Sequence, residues 1–205
     1  MLTLQVINVS TRKGRKGPAV AEWFAEYARQ SGQFRVEVVD LAEVDLPIYD
    51  EEVHPRLGQY EHEHTRRWSQ IVRRADAYVF VTPEYNHVTP ASLVNALTYL
   101  NQEWAYKPVG FVSYGGVSAG TRSVQVAKQM VVSLRMMPVP EAVNIPFFAQ
   151  YIDESTGVFN PPEMQAQAAT MMLDELHKWS AALQPLRPDA EMTQEAPAPV
   201  VAASR

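Results

Sequence analysis

Short apolar runs alternate with longer amphipathic stretches along most of the chain. Five runs are rich in β-branched and aliphatic side chains and are predicted as strands, at residues 4–9, 36–40, 77–82, 109–113 and 138–145. Because these runs are nearly continuous in apolar residues, we expect them to be buried on both faces, as the strands of a parallel sheet are.

The stretches between and after these runs are predicted as helices, at residues 18–31, 60–75, 90–101, 120–136 and 162–183. Three of them begin with proline, which the first helical turn accepts because the missing N–H would have no partner there. The alternation of strand and helix predicts an open, mostly parallel sheet with helices on both sides. Such sheets bind ligands beyond the carboxyl ends of their strands, so the loops after the strands are candidate sites.

The chain divides into a long segment and a short C-terminal segment of different composition. Residues 1–184 contain no glycine- or serine-rich linker and no internal repeat, so we predict one domain. Residues 185–205 are rich in proline and alanine and contain no aromatic residue. We predict that this segment is a disordered tail.

Composition narrows the possible partners and chemistry. The chain has 205 residues, with 18 Lys and Arg against 23 Asp and Glu, a net charge of -5 that offers no broad basic surface for nucleic acid or anionic lipid. No segment reaches the ~18 apolar residues of a membrane span, and the N-terminus lacks a secretory signal, so we expect a cytoplasmic protein. The absence of cysteine excludes disulfides, thiolate metal sites, iron–sulfur clusters and cysteine nucleophiles. Redox chemistry would therefore need an organic cofactor or a metal without thiolate ligands.

The loop after the first predicted strand, residues 10–18, collects hydroxyl groups, cations and glycine just before a helix. A helix N-terminus, with the guanidinium groups of Arg12 and Arg15, is suited to binding a phosphate. The Walker pattern is absent, because Gly17 is followed by proline instead of lysine. The dinucleotide fingerprint is absent too, because it needs three glycines and this loop has only Gly14 and Gly17. The alternative is a basic surface turn. Asp40, at the end of the second strand, is predicted as a solvated or capping residue.

Two more loops follow the third and fourth strands. Residues 82–90 form a segment flanked by prolines, in which Tyr85 and the backbone could contact a planar heteroaromatic ring. Core packing of Tyr85 and a turn-forming role for Asn86 are the alternatives. Residues 113–122 hold three of the chain's nine glycines within six positions, which allows the backbone to approach a ligand closely. The three loops together predict a phosphate site and a flat-ring pocket at one edge of the sheet.

Two other groups of residues are predicted to be structural. His62 and His64 are two positions apart, which places them on different faces of a helix and argues against a zinc site. The pairs Met136–Met137 and Met171–Met172 are predicted to fill the core from helices.

The loop motifs resemble those of the NAD(P)H-dependent FMN reductase family of flavodoxin-like proteins, which includes azobenzene, quinone and chromate reductases. The resemblance covers about residues 3–183, and its most diagnostic part is Pro83-Glu84-Tyr85-Asn86 followed by Pro90, Leu93, Asn95, Ala96 and Leu100. It implies a flavodoxin-like three-layer α/β sandwich with a five-stranded parallel sheet of order 2-1-3-4-5. It also implies one FMN per subunit and assembly as a homodimer or homotetramer.

The resemblance assigns the residues of the FMN site by loop. The phosphate would be bound by residues of the first loop, Ser10, Arg12, Arg15 and Gly17. The isoalloxazine would be lined, largely by backbone groups, by Pro83, Glu84, Tyr85 and Asn86. The pyrimidine edge would be contacted by Tyr114, Gly115 and Gly116.

The implied activity is hydride transfer from NADPH or NADH and reduction of a small-molecule electron acceptor, such as a flavin, a quinone or an azo compound. The cofactor would supply this chemistry, so we expect no catalytic side chain and no metal. A flavodoxin-like FMN-binding electron carrier and a non-catalytic regulator are the alternatives, because fold alone does not define function. Carriers of this kind are typically more acidic and enclose the flavin between aromatic residues, so the modest net charge favours the enzyme.

Overall fold

The computed structural model describes residues 1–187, and its centre is a five-stranded parallel sheet. The strands are β1 (Thr3–Asn8), β2 (Arg35–Asp40), β3 (Ala77–Pro83), β4 (Pro108–Tyr114) and β5 (Met137–Ile145). Their order across the sheet is β2-β1-β3-β4-β5, and every neighbouring pair is parallel. The predicted strand order is confirmed.

Helices connect the strands and follow the last one. They are α1 (Gly17–Ser31), α2 (Leu41–Val44), α3 (Glu63–Arg73), α4 (Ala91–Thr98), α5 (Thr121–Ser133) and α6 (Glu163–Leu183). The short α2 is not predicted from the sequence; the Asp40 carboxylate caps it by accepting the Ala42 N–H at 3.0 Å. Pro18 lies in the first turn of α1, whereas Pro90 and Pro162 stand one residue before their helices.

A separate hydrophobic core fills each face of the sheet. Helices α1 and α6 pack on one face, where Phe24 and Met172 are fully buried. Helices α2 to α5 pack on the other, around Trp68 and Trp104. Every residue of β1, β3 and β4 is buried, as predicted, but the edge strands β2 and β5 are partly exposed. Burial on both faces is therefore wrong for the edge strands, which have a neighbour on one side only.

Some predictions for the methionine and histidine pairs are wrong. Met137 begins β5 instead of lying in a helix, and Met171 faces outward with 60% of its surface exposed. His62 stands at the N-cap position of α3, where its backbone is extended instead of helical. Its ring stacks on that of His64, with ring centroids 5.1 Å apart. The two rings therefore share one side of the molecule. Within residues 1–187, no group of three or more His, Cys, Asp or Glu side chains is arranged to hold a metal ion.

The chain remains structured beyond the predicted domain boundary at residue 184. A 3₁₀ turn spans Gln184–Leu186, and the Arg187 guanidinium pairs with the Asp76 carboxylate near the start of β3. Arg187 also donates to the backbone oxygens of Asp76 and Ser180, at 3.0 and 3.2 Å. The rest of the predicted tail lies outside the described residues. No helix in the described part of the chain is both long enough and apolar enough to cross a bilayer.

Candidate functional site

The carboxyl edge of the sheet brings the three predicted loops together. In the strand register, Pro83 pairs with Tyr114 and Tyr114 with Ile145, so the loops after β3, β4 and β5 leave from adjacent positions. A cavity of about 510 Å³ opens there, within the range of small-molecule sites. Its lining residues are Arg12, Arg15, Lys16, Pro83, Glu84, Tyr85, Tyr114, Gly115, Gly116, Phe147, Phe148, Ala149 and Gln150.

Most of the predicted site residues line this cavity. Ser10 and Gly17 lie buried at the base of the first loop, behind the lining. Asn86 lines a neighbouring cavity of about 870 Å³, which it shares with Tyr85; this cavity lies between α2, α4 and residues 82–90, which we call the ring loop. The contact of Asn86 with an isoalloxazine therefore remains a prediction, as do the individual ligand roles of the other residues.

The base of the first loop is a tightly packed polar cluster. Gly17, the first residue of α1, lies against Asn8, Ser10 and Tyr114, and a Cβ atom at position 17 would stand 2.5 Å from both Asn8 Oδ1 and Tyr114 OH. Burial raises the pKa of Tyr114 to about 12, so its hydroxyl is a neutral donor and acceptor at physiological pH. Only glycine at position 17 allows α1 to begin this close to the ends of β1 and β4.

The two arginines of the first loop have different surroundings. Arg15 forms a two-pronged ion pair with Asp40, with N–O distances of 2.9 and 2.8 Å, and donates to the Ser10 carbonyl at 2.8 Å. Asp40 is thus an ion-pairing and capping residue instead of a solvated one. Arg12 is exposed, and within residues 1–187 it has no carboxylate partner. Arg12 therefore contributes uncompensated positive charge to the cavity lining beside the N-terminus of α1, as does Lys16, which also has no ion-pair partner within residues 1–187.

A tight turn forms the tip of the ring loop. Tyr85 and Val88 exchange two backbone hydrogen bonds of 3.1 and 3.0 Å, and Asn86 and His87 between them have φ angles of 50° and 68°. Asn86 thus has the turn-forming role left open by the sequence. Tyr85 is half-buried and lines the cavity, so core packing does not account for it.

The left-handed backbone at His87 gives a direct test of this turn. We expect His87→Gly to be more stable than His87→Ala by on the order of 1 kcal/mol, because a Cβ atom disfavours this conformation. Urea unfolding of the two variants measures the difference. Asn86→Gly against Asn86→Ala is the matched comparison, and its difference should be similar because the backbone at position 86 is also left-handed, with a φ of 50°. Equal stability of the two His87 variants would show that the backbone is not strained there.

Glu84 links the ring loop to residues 113–122, the glycine-rich loop. Its carboxylate accepts hydrogen bonds from Arg122 Nε at 2.6 Å, the Arg122 backbone N–H at 3.2 Å and the Ser118 hydroxyl at 3.3 Å. Burial raises the pKa of this carboxyl, but the hydrogen bonds and charge of Arg122 outweigh it, and the net pKa lies below the usual value. The side chain is thus committed to protein contacts, and any contact with a ligand would come from the backbone.

The segment after β5 completes the cavity and is absent from the sequence predictions. Phe147 and Phe148 donate their N–H groups to the carbonyls of Gly116 and Gly115, at 3.2 and 3.3 Å. The ring of Phe148 packs against Tyr114, with centroids 4.7 Å apart. Ligands bind beyond the carboxyl ends of parallel strands, and the end of β5 is one of them. The loop after β5 lacks the glycine and charge that marked the others.

Together, these features define a flavodoxin-like fold with a candidate mononucleotide site. The order of the parallel sheet is that of the flavodoxin-like fold, whose ligand site lies beyond the strand ends. FMN fits the residues present: its phosphate is suited to Arg12 and the start of α1, and its flat ring to the cavity between Tyr85 and the glycine-rich loop.

Comparison with known proteins identifies the family. The sequence profile described as NADPH-dependent FMN reductase matches residues 2–150, and the chain belongs to that family. A relative from Schizosaccharomyces pombe, an NAD(P)H-dependent FMN reductase, is 38% identical over 144 residues, covering 69% of this chain and 72% of its own. A quinone reductase from Pseudomonas putida is 32% identical over 148 residues, covering 68% and 76%.

The fold has a match among solved structures. FerB, a flavoenzyme NAD(P)H:(acceptor) oxidoreductase from Paracoccus denitrificans, superposes with a TM-score of 0.70 at 22% identity, covering 89% of this chain and 98% of its own. The family and the fold agree with the prediction of an FMN-dependent oxidoreductase that uses NAD(P)H.

Proposed function

We propose that this chain binds one FMN across its three loops and passes electrons from NADPH or NADH to a small-molecule acceptor. The observation that carries the proposal is the mixed lining of one cavity. Arg12, without a carboxylate partner among the described residues, lines it beside the start of α1, and Tyr85 and the glycine-rich loop line it as well. This arrangement suits a ligand with an anionic end and a flat heteroaromatic end.

Each part of the cavity has a defined task in this proposal. Arg12 and the first N–H groups of α1 hold the phosphate, while Asp40 fixes Arg15 behind them. Backbone groups around Tyr85 and Gly115 contact the ring. The glycine-rich loop can approach it closely because no side chain stands in the way at Gly116, whose Cβ position is open.

FMN bound at this site supplies hydride acceptance from a reduced nicotinamide and electron delivery to the acceptor. The chain's own residues position the FMN and set the charges around it. Glu84 remains a carboxylate because Arg122 holds it, and Tyr114 remains a neutral phenol because it is buried. Neither group is poised to exchange a proton near neutral pH, which agrees with a reaction that needs no acid or base from the protein.

Flavins, quinones and azo compounds are the acceptor class we propose. The cavity is open to one side and its lining is largely apolar, as planar acceptors require. The quinone reductase relative supports a quinone in particular. We also propose that the protein is cytoplasmic, where NADPH and NADH are available to it.

We also propose that the protein assembles as a homodimer or homotetramer. Val88 and Val94 beside the second cavity are 46% and 37% exposed, and Ile48 opposite them is 89% exposed. Such a group of aliphatic side chains on the surface favours a protein contact. Sedimentation of the purified protein measures the assembly state directly, and a monomer would refute this part of the proposal.

Anaerobic spectroscopy tests the activity. The purified protein, after incubation with FMN, should show a bound flavin absorbance that bleaches when NADPH or NADH is added and returns when a quinone is added. Absence of bound flavin would refute the proposal as a whole. Flavin binding without bleaching by either nucleotide would point to an electron carrier.

A further inference from the structure

The most unusual side chain at the cavity is Phe147. It follows β5, lines the cavity, and exposes 55% of its surface. Its φ and ψ angles are 47° and 38°, a left-handed conformation that is rare for an aromatic residue. Exposure of a large apolar ring and a disfavoured backbone both oppose folding, and strain of this kind is found where a site depends on it.

The surrounding contacts hold Phe147 in this position. Its N–H donates to Gly116 at 3.2 Å, and the next N–H donates to Gly115 at 3.3 Å, so the segment is hydrogen-bonded to the glycine-rich loop. The Gly115 N–H in turn donates to the Ile145 carbonyl at 3.3 Å. Phe148 turns inward against Tyr114, which leaves the Phe147 ring at the cavity mouth.

We propose that Phe147 determines acceptor specificity, by forming the outer wall against which a planar aromatic electron acceptor packs. This inference rests on the proposed function, since it assigns a residue to the acceptor side of the same site. Aromatic rings attract one another in offset or edge-to-face arrangements beyond their simple burial. The lining of the cavity is largely apolar by area, and next to Phe147 it consists of Phe148, Ala149, the backbone of Gly115 and Gly116, and Gln150, whose N–H donates to the Phe147 carbonyl at 3.1 Å. A flat, uncharged acceptor of two fused rings suits this wall better than a compact inorganic ion.

Two acceptors of different shape show whether Phe147 acts on aromatic acceptors in particular or on electron transfer in general. For Phe147→Ala, we expect kcat/KM with 1,4-naphthoquinone to fall about tenfold, mainly through KM, which is the upper range of an aromatic pair contact. Ferricyanide, which offers no ring to pack, should be reduced at the wild-type rate. Phe147→Tyr, which keeps the ring, should restore the naphthoquinone value. An equal fall with both acceptors would overturn the proposal.

A binding measurement gives a readout independent of turnover. The Kd of 2-naphthol, which has the same ring outline but no quinone carbonyls, is measured by fluorescence quenching with the FMN-loaded protein. We expect it to rise about tenfold in Phe147→Ala and to be unchanged in Phe147→Tyr. Val158→Ala is the matched control, because Val158 follows the same strand, is 52% exposed and lies away from this cavity. An unchanged Kd in Phe147→Ala would refute the proposal that the Phe147 ring packs against the acceptor.

If a group other than the acceptor packs against the Phe147 ring, the results would differ. If the ring instead packs on the nicotinamide, Phe147→Ala would slow anaerobic reduction by NADPH while leaving 2-naphthol binding intact. If it packs on a second copy of the chain, the variant would sediment as a smaller species. Either result overturns the proposal. Failure of the proposed function itself is separate, because it would appear in the wild-type protein as absence of flavin bleaching.

Discussion

Replacement of Arg12 by alanine should weaken FMN binding by about 10- to 100-fold. A hydrogen bond from a charged donor contributes about 1.5–3 kcal/mol, and about 1.4 kcal/mol corresponds to a factor of ten in affinity. Arg12 has no competing carboxylate within the described residues, so its loss is not offset by release of another group. Arg12→Lys should have an intermediate affinity, because lysine keeps the charge but lacks the planar guanidinium that can hold two phosphate oxygens at once.

Riboflavin binding and a substitution at the neighbouring Lys13 are the controls that test whether Arg12 acts on the phosphate. Riboflavin lacks the phosphate, so its Kd should be the same in the wild-type protein and in Arg12→Ala. Lys13→Ala removes one positive charge from the same loop but not from the cavity lining, and it should change FMN affinity little. Flavin fluorescence quenching measures all these values. Equal weakening of FMN and riboflavin by Arg12→Ala would mean that Arg12 shapes the loop instead of holding the phosphate.

Replacement of Gly17 by alanine should destabilise the protein by about 3 kcal/mol, which corresponds to a fall in Tm of roughly 6–12 °C. The added Cβ atom would stand 2.5 Å from Asn8 Oδ1 and Tyr114 OH, and closer still to the Ser10 hydroxyl. These atoms belong to buried residues at the ends of β1 and β4, which cannot move aside without disturbing the sheet. We expect FMN binding to be lost at the same time, because the start of α1 would shift.

Gly14→Ala is the matched control for this substitution. Gly14 lies in the same loop with a φ of 68°, but nothing lies within 4 Å of a Cβ atom there. Its replacement adds backbone strain alone, about 1–2 kcal/mol. Thermal unfolding compares the two variants, and a Gly17→Ala protein as stable as Gly14→Ala would contradict the close packing at the base of the loop.

The sequence predicts the scaffold well because strand and helix periods are local properties. Runs of aliphatic residues in β1, β3 and β4 reflect burial on both faces, which the structure confirms. The edge strands carry a weaker signal because one side has no neighbouring strand, and the four residues of α2 are too few to show a helical period. The sheet order came from family resemblance, since local pattern does not specify which strands pair.

The site is predictable in composition but not in its internal contacts. Arg12 and Arg15 are alike in the sequence, and only the fold brings Asp40 to one of them. Glu84 stands in the ring loop, yet its carboxylate turns to Arg122, which is 38 positions away in the chain. Phe147 has no motif around it, and its position at the cavity depends on backbone bonds to another loop. Pairings between distant segments decide these roles.

The hydrogen bonds between the glycine-rich loop and the segment after β5 also limit how the cavity can move. Gly115 and Gly116 accept from Phe148 and Phe147, and Gly115 donates to Ile145. A displacement of the glycine-rich loop toward or away from a ligand therefore has to carry the end of β5 with it or break these bonds together. Widening of the entrance for bulkier molecules is consequently a concerted rearrangement of two segments, and hinge-like opening of one loop alone is disfavoured.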